Sequence, residues 1–532
     1  MNELSRRSLL VGGGALALTG GMLPLAGAQE AVRGGTLRFV VPEPVMLTGA
    51  FNSSGPIYLI SGKMFDGLVT YDFDFKPKPQ LALSWSTSAD GLSTTFKLRP
   101  GVKWHDGKPF TSADLAYSAM TVWKIAHPRG RSIYAHLEAV DTPDPLTAIL
   151  RFSKPAPSLM NALAGVESQI LPRHLYEGKD LMTNPANVAP VGTGPYRFVE
   201  WRRGQQVLLE RNPDYWMSGQ PLLDKVVIRF IPDPAARSAA FEAGEIDLGG
   251  DLPVALADAR RLAASPALMI PPRGAEALAA MHYIEFNLRK APFNDVRVRR
   301  AIAHAIDRDF ILKNIWFGFG RTSTGPLSRD MAQFHTDAKV PSYKYDPALA
   351  QSLLDEAGLK RGAGGIRFRM THDPLPGFDA FAGTGDYFRA AMQRIGIAVE
   401  VRNQDLASYY RRVYGENDFD STNFAAFNLT DPTMGVQRFY WSKNILKGVA
   451  FSNGSGYANP EVDRLLESAQ SELDIAKRRA DYAAFQRIAM EDLPNIPVGD
   501  INWFTLQTRK LQGIIQGPFG VRDNFATATF SA

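Results

Sequence analysis

The pattern of apolar and polar residues predicts short strands in the early part of the chain. "GGTLRFVV" (34–41) is an apolar, β-branched run opened by glycines, which is typical of a strand. "TTFKLRPGVKW" (94–104) alternates apolar with charged residues, and Pro100-Gly101 supplies a turn. We therefore predict a hairpin with one buried face here, with Trp104 on or close to the buried side.

Helical spacing and capping residues predict helices further along. The segments that carry these signals are "KPFTSADLAYSAM" (108–120), "FNDVRVRRAIAHAIDRDFIL" (293–312), "YDPALAQSLLDEAGL" (345–359) and "NPEVDRLLESAQ" (459–470). In the second segment we expect the arginines to face outward. In the third we expect Leu349, Leu353 and Leu354 to face inward.

Strands and helices alternate over most of the chain. "VVIRFIPD" (226–233) leads into a helical stretch that ends at Gly244, and a short apolar strand follows, which predicts a β-α-β unit. A segment richer in short strands lies between about residues 55 and 185. This order predicts an α/β protein of two lobes, one of which carries a β-rich insertion.

The first 28 residues have the layout of an export signal. Arg6 and Arg7 precede an apolar, glycine-rich run over 9–25, and residues 26–28 fit a signal peptidase site. The arginine pair resembles a twin-arginine signal, with a general secretory signal as the alternative. A membrane anchor is disfavoured because the run is interrupted and is shorter than the roughly 20 apolar residues of a span. We expect Gln29 to be the first mature residue.

Composition narrows the location and the partners. The 532-residue chain has 59 basic and 54 acidic residues, and no block of Lys and Arg is interleaved with aromatics, so nucleic acid is not an expected partner. The chain has no cysteine, which excludes disulfides and a lipidated N-terminal cysteine. We expect an exported, soluble periplasmic protein without a lipid anchor.

Motifs for catalysis or for a metal are weak. The eight histidines never fall at His-x-His or His-x-x-x-His spacing, and there is no G-x-S-x-G elbow, Ser-x-x-Lys or P-loop. His105 and Asp106 in "VKWHDGKPF" (102–110) suggest a base and its carboxylate, but neighbours on an extended strand point to opposite faces. We interpret this stretch as structural and expect neither a metal nor a cofactor. An enzyme with scattered catalytic residues remains an alternative.

The segment "LALSWSTSADGLSTTFKLRPGVKWHDGKPFTSADLAYS" (81–118) resembles the bacterial extracellular solute-binding proteins of family 5, which serve peptide, oligopeptide and nickel ABC transporters. Further matches follow in the family's order: "FDGLVTYD", "GTGPYRF", "NPDYW", "AFEAGEIDL", "FNDVRVRRAIAHAIDR" and "YANPEVDRLL". The resemblance implies an α/β periplasmic-binding-protein (Venus-flytrap) type II fold, with two lobes and an additional β-rich inserted domain.

The resemblance also implies domain boundaries. Domain I comprises 34–54, 186–278 and 500–532; domain II, the family-specific insertion, is 55–185; domain III is 279–499. Two chain crossings near 279 and 499 form a hinge, and ligand is enclosed between domains I and III when the hinge closes. The implied function is capture of a small solute and its delivery to the permease subunits of an ABC importer in the inner membrane, by a protein we expect to be monomeric.

The ligand class depends on one departure from the family. Peptide-binding members hold the α-ammonium group with an aspartate in a segment that resembles "AAFNLTDPT" (425–433), and Asn428 stands at that place here. A neutral amide does not neutralise a buried ammonium group. We therefore predict a small organic solute that is not a simple peptide. Asp431 lies three residues on and is the alternative anchor, in which case the protein binds di- or oligopeptides.

Other candidate ligand residues are less directly indicated. Among four arginines in the same half of the chain (402, 411, 412 and 438), Arg438 is favoured for an anionic group because Tyr440 and Trp441 follow it as flat walls for stacking. Glu43 follows the first strand, at a position where family members bring a carboxylate to the cleft. Tyr457 and Trp503 complete the predicted set.

Overall fold

A computed structural model describes residues 33–531, so the predicted export signal lies outside the described residues. Within this range strands and helices alternate, as expected for an α/β protein. Two large sheets and one smaller sheet organise the fold. We call the part built on the first large sheet, together with the smaller sheet, the first lobe, and the part built on the second large sheet the second lobe.

The first large sheet has seven strands drawn from three separate stretches of chain. In spatial order they are Leu268–Met269, Leu506–Thr508, Leu248–Gly249, Thr36–Val40, Lys225–Arg229, Gln206–Arg211 and Tyr196–Arg202. The N-terminal strand lies parallel to Lys225–Arg229 on one side and to Leu248–Gly249 on the other. Helix Pro234–Glu242 connects those two strands. The predicted β-α-β unit therefore forms, with the N-terminal strand between its two strands.

The second large sheet has six strands, all from one continuous stretch. In spatial order they are Gly320–Thr322, Asn495–Ile501, Ala280–Phe286, Ser421–Phe427, Phe368–Pro374 and Ile397–Val401. The chain enters the second lobe on Ala280–Phe286 and leaves it on Asn495–Ile501. These two strands are antiparallel neighbours, so both crossings between the lobes lie side by side.

The smaller sheet lies in the segment predicted to be a β-rich insertion. Its strands are Ala82–Thr87, Ser93–Leu98, Thr147–Phe152 and Leu137–Asp144, and two short pairs, Val69–Tyr71 with Pro77–Pro79 and Leu511–Gln512 with Thr529–Phe530, lie beside the main sheets. The predicted hairpin across Pro100-Gly101 is wrong. Strand Ser93–Leu98 already has a partner on each side, and the chain after the turn forms only the isolated bridge Lys103–Pro109.

Each segment predicted to be helical contains a helix. The α-helices are Gly55–Ser61, Ser112–Tyr117, Gly130–Ile133, Arg173–Tyr176, Pro234–Glu242, Leu256–Ala263, Val296–Ala305, Arg308–Phe310, Pro347–Glu356, Asp379–Arg394, Leu406–Tyr410, Pro432–Gly435, Gln437–Tyr440, Pro460–Ser471 and Ile475–Asp492. Thr111 and Asp114 form a capping box, and the side chains of Asp346 and Asn459 accept hydrogen bonds from the first turns of their helices.

Two predicted helix faces are wrong in part. Leu349 is 40% exposed, whereas Leu354 of the same helix is fully buried. Arg299 is buried rather than exposed, and its guanidinium donates to the backbone carbonyls of Phe293 and Leu493. An arginine at this place satisfies carbonyl groups at the end of a neighbouring helix, which hydrophobic periodicity does not reveal.

His105 and Asp106 do not share a proton. The His105 ring bridges the backbone of Gly192 and Gly194, at 3.1 and 3.0 Å, and burial lowers its pKa to about 4. Asp106 instead lies 2.6 Å from the ring of His174. Within the first lobe, this stretch therefore joins the inserted region to the segment that leads into the first large sheet.

Candidate functional site

The two lobes touch in this structure, and residues at their contact surface form the candidate site. The Ser132 hydroxyl of the inserted region donates to the carbonyl of Thr433 at 3.3 Å, and the Gln470 amide donates to the carbonyl of Ser132 at 2.5 Å. Leu429 and Met434 of the second lobe are buried in the hydrophobic core of the first. The lobes are therefore closed on each other; we call the region where they face each other the cleft, and the residues that each lobe contributes to it the first-lobe and second-lobe walls.

A buried ion pair forms one part of the first-lobe wall. The Arg129 guanidinium is held by both oxygens of Glu167, with a shortest distance of 2.6 Å, and both side chains are 2% exposed. Arg129 also donates to the Tyr58 hydroxyl at 2.9 Å. Burial raises the pKa of Tyr58, while the charges of Arg129 and, from the other lobe, Arg438 lower it. Tyr58 is therefore close enough to the second lobe to feel the charge of Arg438.

A second buried pair continues this wall. Arg522 donates to Asp251 at 2.6 Å, and its guanidinium lies 5.5 Å from the ring centre of Phe427 in the second lobe. Lys63 is fully buried behind it, where its ammonium donates to the carbonyl of Asp523 at 2.8 Å. Burial lowers the pKa of Lys63 and raises that of Asp251, although Arg522 offsets part of the latter. The positive charge of Arg522 is thus already matched within the protein.

Arg438 on helix Gln437–Tyr440 forms the corresponding part of the second-lobe wall. Its Nε donates to the carbonyl of Gly435 at 3.1 Å, and its guanidinium lies 4.6 Å from the ring centre of Phe439. Among residues 33–531, no carboxylate forms an ion pair with it. Burial, and then the charge of Arg129 across the cleft, lower the pKa of Arg438 to about 9. Arg438 therefore stays a cation at neutral pH, without an ionic partner in the described chain.

Asn428 is fully buried at the start of the same wall. Its amide nitrogen donates to the Tyr283 hydroxyl at 3.0 Å, and Tyr283 in turn donates to the carbonyl of Pro326. The Asn428 side-chain oxygen is buried and accepts no hydrogen bond from the part of the chain described. The site thus offers a neutral acceptor at the position where peptide-binding members are expected to have a carboxylate.

Asp431 is already engaged by a cation of the protein. Its two oxygens accept from Arg478 at 3.1 and 3.0 Å, both side chains are buried, and Asp431 also caps the helix that begins at Pro432 by accepting from the amide of Thr433. An ammonium group of a ligand would have to compete with a buried guanidinium for this carboxylate. The alternative anchor is therefore not a free charge.

The remaining predicted residues do not form one cluster. Glu43 is exposed and accepts from the Trp201 indole and the backbone of Gly204, so it holds a turn of the first lobe. Tyr440 and Tyr457 are buried in the second lobe, where they donate to Asn495 and Asp492.

Two aromatic residues of the set differ in their placement. Trp441 is partly buried and donates to Glu467 at 2.8 Å, so it packs on a neighbouring helix of its own lobe. Trp503 follows the strand on which the chain leaves the second lobe. Its ring centre lies 5.4 Å from that of Phe427, which the Arg522 guanidinium approaches from the first lobe. Of the predicted set, Asn428 and Arg438 therefore lie on the second-lobe wall, and Trp503 packs on Phe427, the neighbour of Asn428 in sequence.

Sequence reasoning missed the whole first-lobe wall. Tyr58, Arg129 and Glu167 come from the inserted region, and Arg522 from the C-terminal stretch, so no local pattern links them. Isolated arginines and one glutamate carry no spacing signal, and only the folded chain places them opposite Arg438.

Two properties of the described residues bear on other classes of function. Over residues 33–531, no group of three or more His, Asp or Glu side chains is arranged to hold a metal ion. No helix in the same range combines the length and the apolar character needed to cross a membrane. The buried histidines His282 and His372 are instead linked through Asn423, and burial lowers their pKa values to about 3 and 4.

Comparison with known proteins places the chain in one family. Residues 76–447 match the family described as bacterial extracellular solute-binding proteins, family 5 Middle. A relative from Brucella ovis, named as a candidate ABC transporter peptide-binding protein, is 30% identical over 95% of both chains.

Two solved structures have the same fold. The oligopeptide-binding protein AppA from Bacillus subtilis, in complex with a nonapeptide, is 26% identical, covers 94% of this chain and 100% of its own, and has a TM-score of 0.83. The binding protein AgaA from A. tumefaciens R10, in complex with agropinic acid, is also 26% identical, with coverages of 94% and 99% and a TM-score of 0.79. The predicted α/β type II binding-protein fold is confirmed, and the chain belongs to the bacterial extracellular solute-binding proteins of family 5.

Proposed function

We propose that this protein is the soluble periplasmic component of an ABC importer, which captures a small organic solute between its two lobes and delivers it to the permease subunits. Family membership and the closed cleft support this role. The paired crossings on Ala280–Phe286 and Asn495–Ile501 favour a hinge at this place. In this proposal the protein binds and releases its solute without making or breaking a bond, and it acts as a monomer.

The proposed domains follow the predicted boundaries. Domain I comprises 34–54, 186–278 and 500–532, domain II is 55–185, and domain III is 279–499. The origin of the sheets supports this division, because the strands of each of the three larger sheets fall within one proposed domain, apart from the last two residues of Asn495–Ile501.

The observation that favours a ligand other than a simple peptide is the state of the two candidate ammonium anchors. Asn428 is neutral, and Asp431 is engaged by Arg478. A peptide's α-ammonium group would lose its hydration in the closed cleft without gaining an unmatched carboxylate there, which costs several kcal/mol. The two similar solved structures include both ligand classes, since one binds a nonapeptide and the other binds agropinic acid.

The test is native mass spectrometry of the full chain purified from its own periplasm, followed by denaturation and identification of the released solute. A single non-peptide mass supports the proposal. A ladder of short peptides would overturn the non-peptide assignment, and a protein that carries no solute and shows no change of shape with periplasmic extract would argue against solute capture altogether.

We also propose export by the twin-arginine route with release as a free periplasmic protein. Replacing Arg6 and Arg7 by Lys should stop periplasmic accumulation of the mature chain, measured by fractionation and immunoblot. Unchanged export would favour the general secretory route.

A further inference from the structure

The cleft contains one partly buried cation, Arg438, for which the described protein supplies no counter-charge. The other cations that line or back the cleft are engaged: Arg129 by Glu167, Arg522 by Asp251 and Arg478 by Asp431. Lys63 donates to backbone carbonyls. Arg438 has one backbone acceptor and the faces of Phe439 and Phe451. A guanidinium has five N–H donors, so most of its hydrogen-bonding capacity is unused.

The surroundings of Arg438 oppose closure of an empty cleft. Closing the lobes removes water from the Arg438 guanidinium and brings this group towards Arg129. The charge of Arg129 lowers the pKa of Arg438 by more than the charge of Glu167, the ion-pair partner of Arg129, raises it. Tyr283 and Tyr414, which also face it, are neutral phenols whose pKa values are raised by burial. An isolated charge moved from water into such an environment is unfavourable unless it gains an ion pair.

From these contacts we infer that Arg438 couples closure of the lobes to the negative charge of the ligand: the solute carries an acidic group, and closure is favourable only when that group pairs with Arg438. This inference rests on the proposed function, because it requires that the lobes open and close around a solute. Beyond the proposed function, this inference specifies the charge of the ligand and explains why the protein without solute stays open.

The geometry also indicates which acids fit. A planar guanidinium with free donors suits a carboxylate or a phosphate, which accept two parallel hydrogen bonds. The unused oxygen of Asn428 accepts a hydrogen bond from a hydroxyl or an uncharged N–H of the same solute. A zwitterion would bring an ammonium group for which these walls hold no unmatched carboxylate. We therefore assign the ligand to small organic acids with neutral polar groups.

The deciding experiment uses three full-length variants: Arg438→Met, which removes the charge; Arg438→Lys, which keeps it; and Arg411→Met, an exposed arginine of the second lobe, as the matched control. Each protein is purified from periplasm, its retained solute is measured by native mass spectrometry, and the solute-free protein, prepared by unfolding and refolding, is studied by small-angle X-ray scattering. Circular dichroism verifies that each variant is folded.

We expect solute-free wild type and Arg411→Met to be open and to close when the released solute is added back. Arg438→Met should retain at least about 30-fold less solute, as for loss of one partner of a buried charge pair. Its solute-free form should nevertheless have a smaller radius of gyration than that of wild type, because no cation is buried by closure. Arg438→Lys should keep the open solute-free form and part of the retention.

Two results would overturn the coupling. One is a released solute without an acidic group. The other is an Arg438→Met variant that is as open as wild type without solute and closes on solute with the same affinity. These results differ from failure of the proposed function itself, in which wild type neither retains a solute nor changes its radius of gyration. If Arg438→Met fails to fold, Arg438→Gln replaces it, with the same expectation for retention and shape.

Discussion

Replacing Glu285 by Gln tests a buried acid in the second lobe. Glu285 lies on strand Ala280–Phe286, is fully buried, and neither carboxylate oxygen accepts a hydrogen bond from the described residues. The backbone of Gly454 passes so close that a Cβ atom there would lie 2.7 Å from a Glu285 oxygen. Burial raises the pKa of Glu285 from an ordinary value of 4.5 to about 8, although the charge of Arg289 offsets part of this.

The sign and size of the effect follow from this pKa. Because the folded state holds its proton more tightly than the unfolded state, the group's contribution to stability is complete below pH 4.5 and declines as the pH rises to about 8. At 1.36 kcal/mol for each tenfold change, this interval corresponds to a loss of about 5 kcal/mol. Gln has nearly the shape of the protonated acid and does not ionise, so the variant avoids this loss.

The assay is thermal unfolding of wild type and Glu285→Gln from pH 5 to 9, with Glu245→Gln, an exposed glutamate, as control. From pH 5 to 9 about 4 kcal/mol of this loss occurs, which for a lobe of this size corresponds to a change in Tm of about 8 °C or more. We expect the Tm of wild type to fall by that amount relative to Glu285→Gln across this range. Comparison of matched proteins cancels other buried acids such as Asp66 and Asp523, whose pKa values are about 6 and 7. Parallel curves for all three proteins would refute the reasoning.

Three further outcomes are expected. Asp431→Asn should lower the free energy of unfolding by about 3–5 kcal/mol in chemical unfolding, because Arg478 is left buried without its partner. The double variant Asp431→Leu, Arg478→Met should recover most of this loss. An Asp431→Asn protein as stable as wild type would contradict the pairing. Gln470→Ala should speed solute release about 2- to 10-fold in stopped-flow measurements, because the hydrogen bond to Ser132 across the lobes is lost. An unchanged release rate would show that this contact does not stabilise the closed form. His105→Ala should lower stability by about 1–3 kcal/mol while leaving solute retention unchanged, and lost retention with an unchanged Tm would argue against a structural role.

Sequence patterns predicted the elements better than their partners. Capping residues such as Thr111 and Asn459 act within one turn, so the start of each helix is visible in a short window. The hairpin at residues 94–104 failed for the opposite reason. The partners of strand Ser93–Leu98 include Thr147–Phe152, about fifty residues away, and no local turn encodes that pairing.

The candidate site was predictable on one wall only. Asn428 lies in a stretch that the family resemblance singles out, and Arg438, ten residues on, was selected because Tyr440 and Trp441 follow it; both are on the second-lobe wall. Glu43 and Tyr440 have suitable side chains, but their partners, Trp201 and Asn495, are distant in sequence and hold them in structural roles. A residue type states what a side chain is able to do, whereas burial and partners determine whether it remains free to do so.

The strand Leu506–Thr508 has a consequence for the order in which the chain folds. It is one of the last strands to be synthesised, yet it lies between Leu248–Gly249 and Leu268–Met269 near one edge of the first sheet. The second lobe, which comes from one continuous stretch, has all its strands once residue 501 has been made. Until the C-terminal stretch is synthesised, Leu248–Gly249 and Leu268–Met269 in the first sheet lack the strand that pairs between them. Unpaired strand edges of this kind are prone to pair with other chains. A chain truncated before residue 506 is therefore expected to aggregate through its first lobe, even though its second lobe is complete.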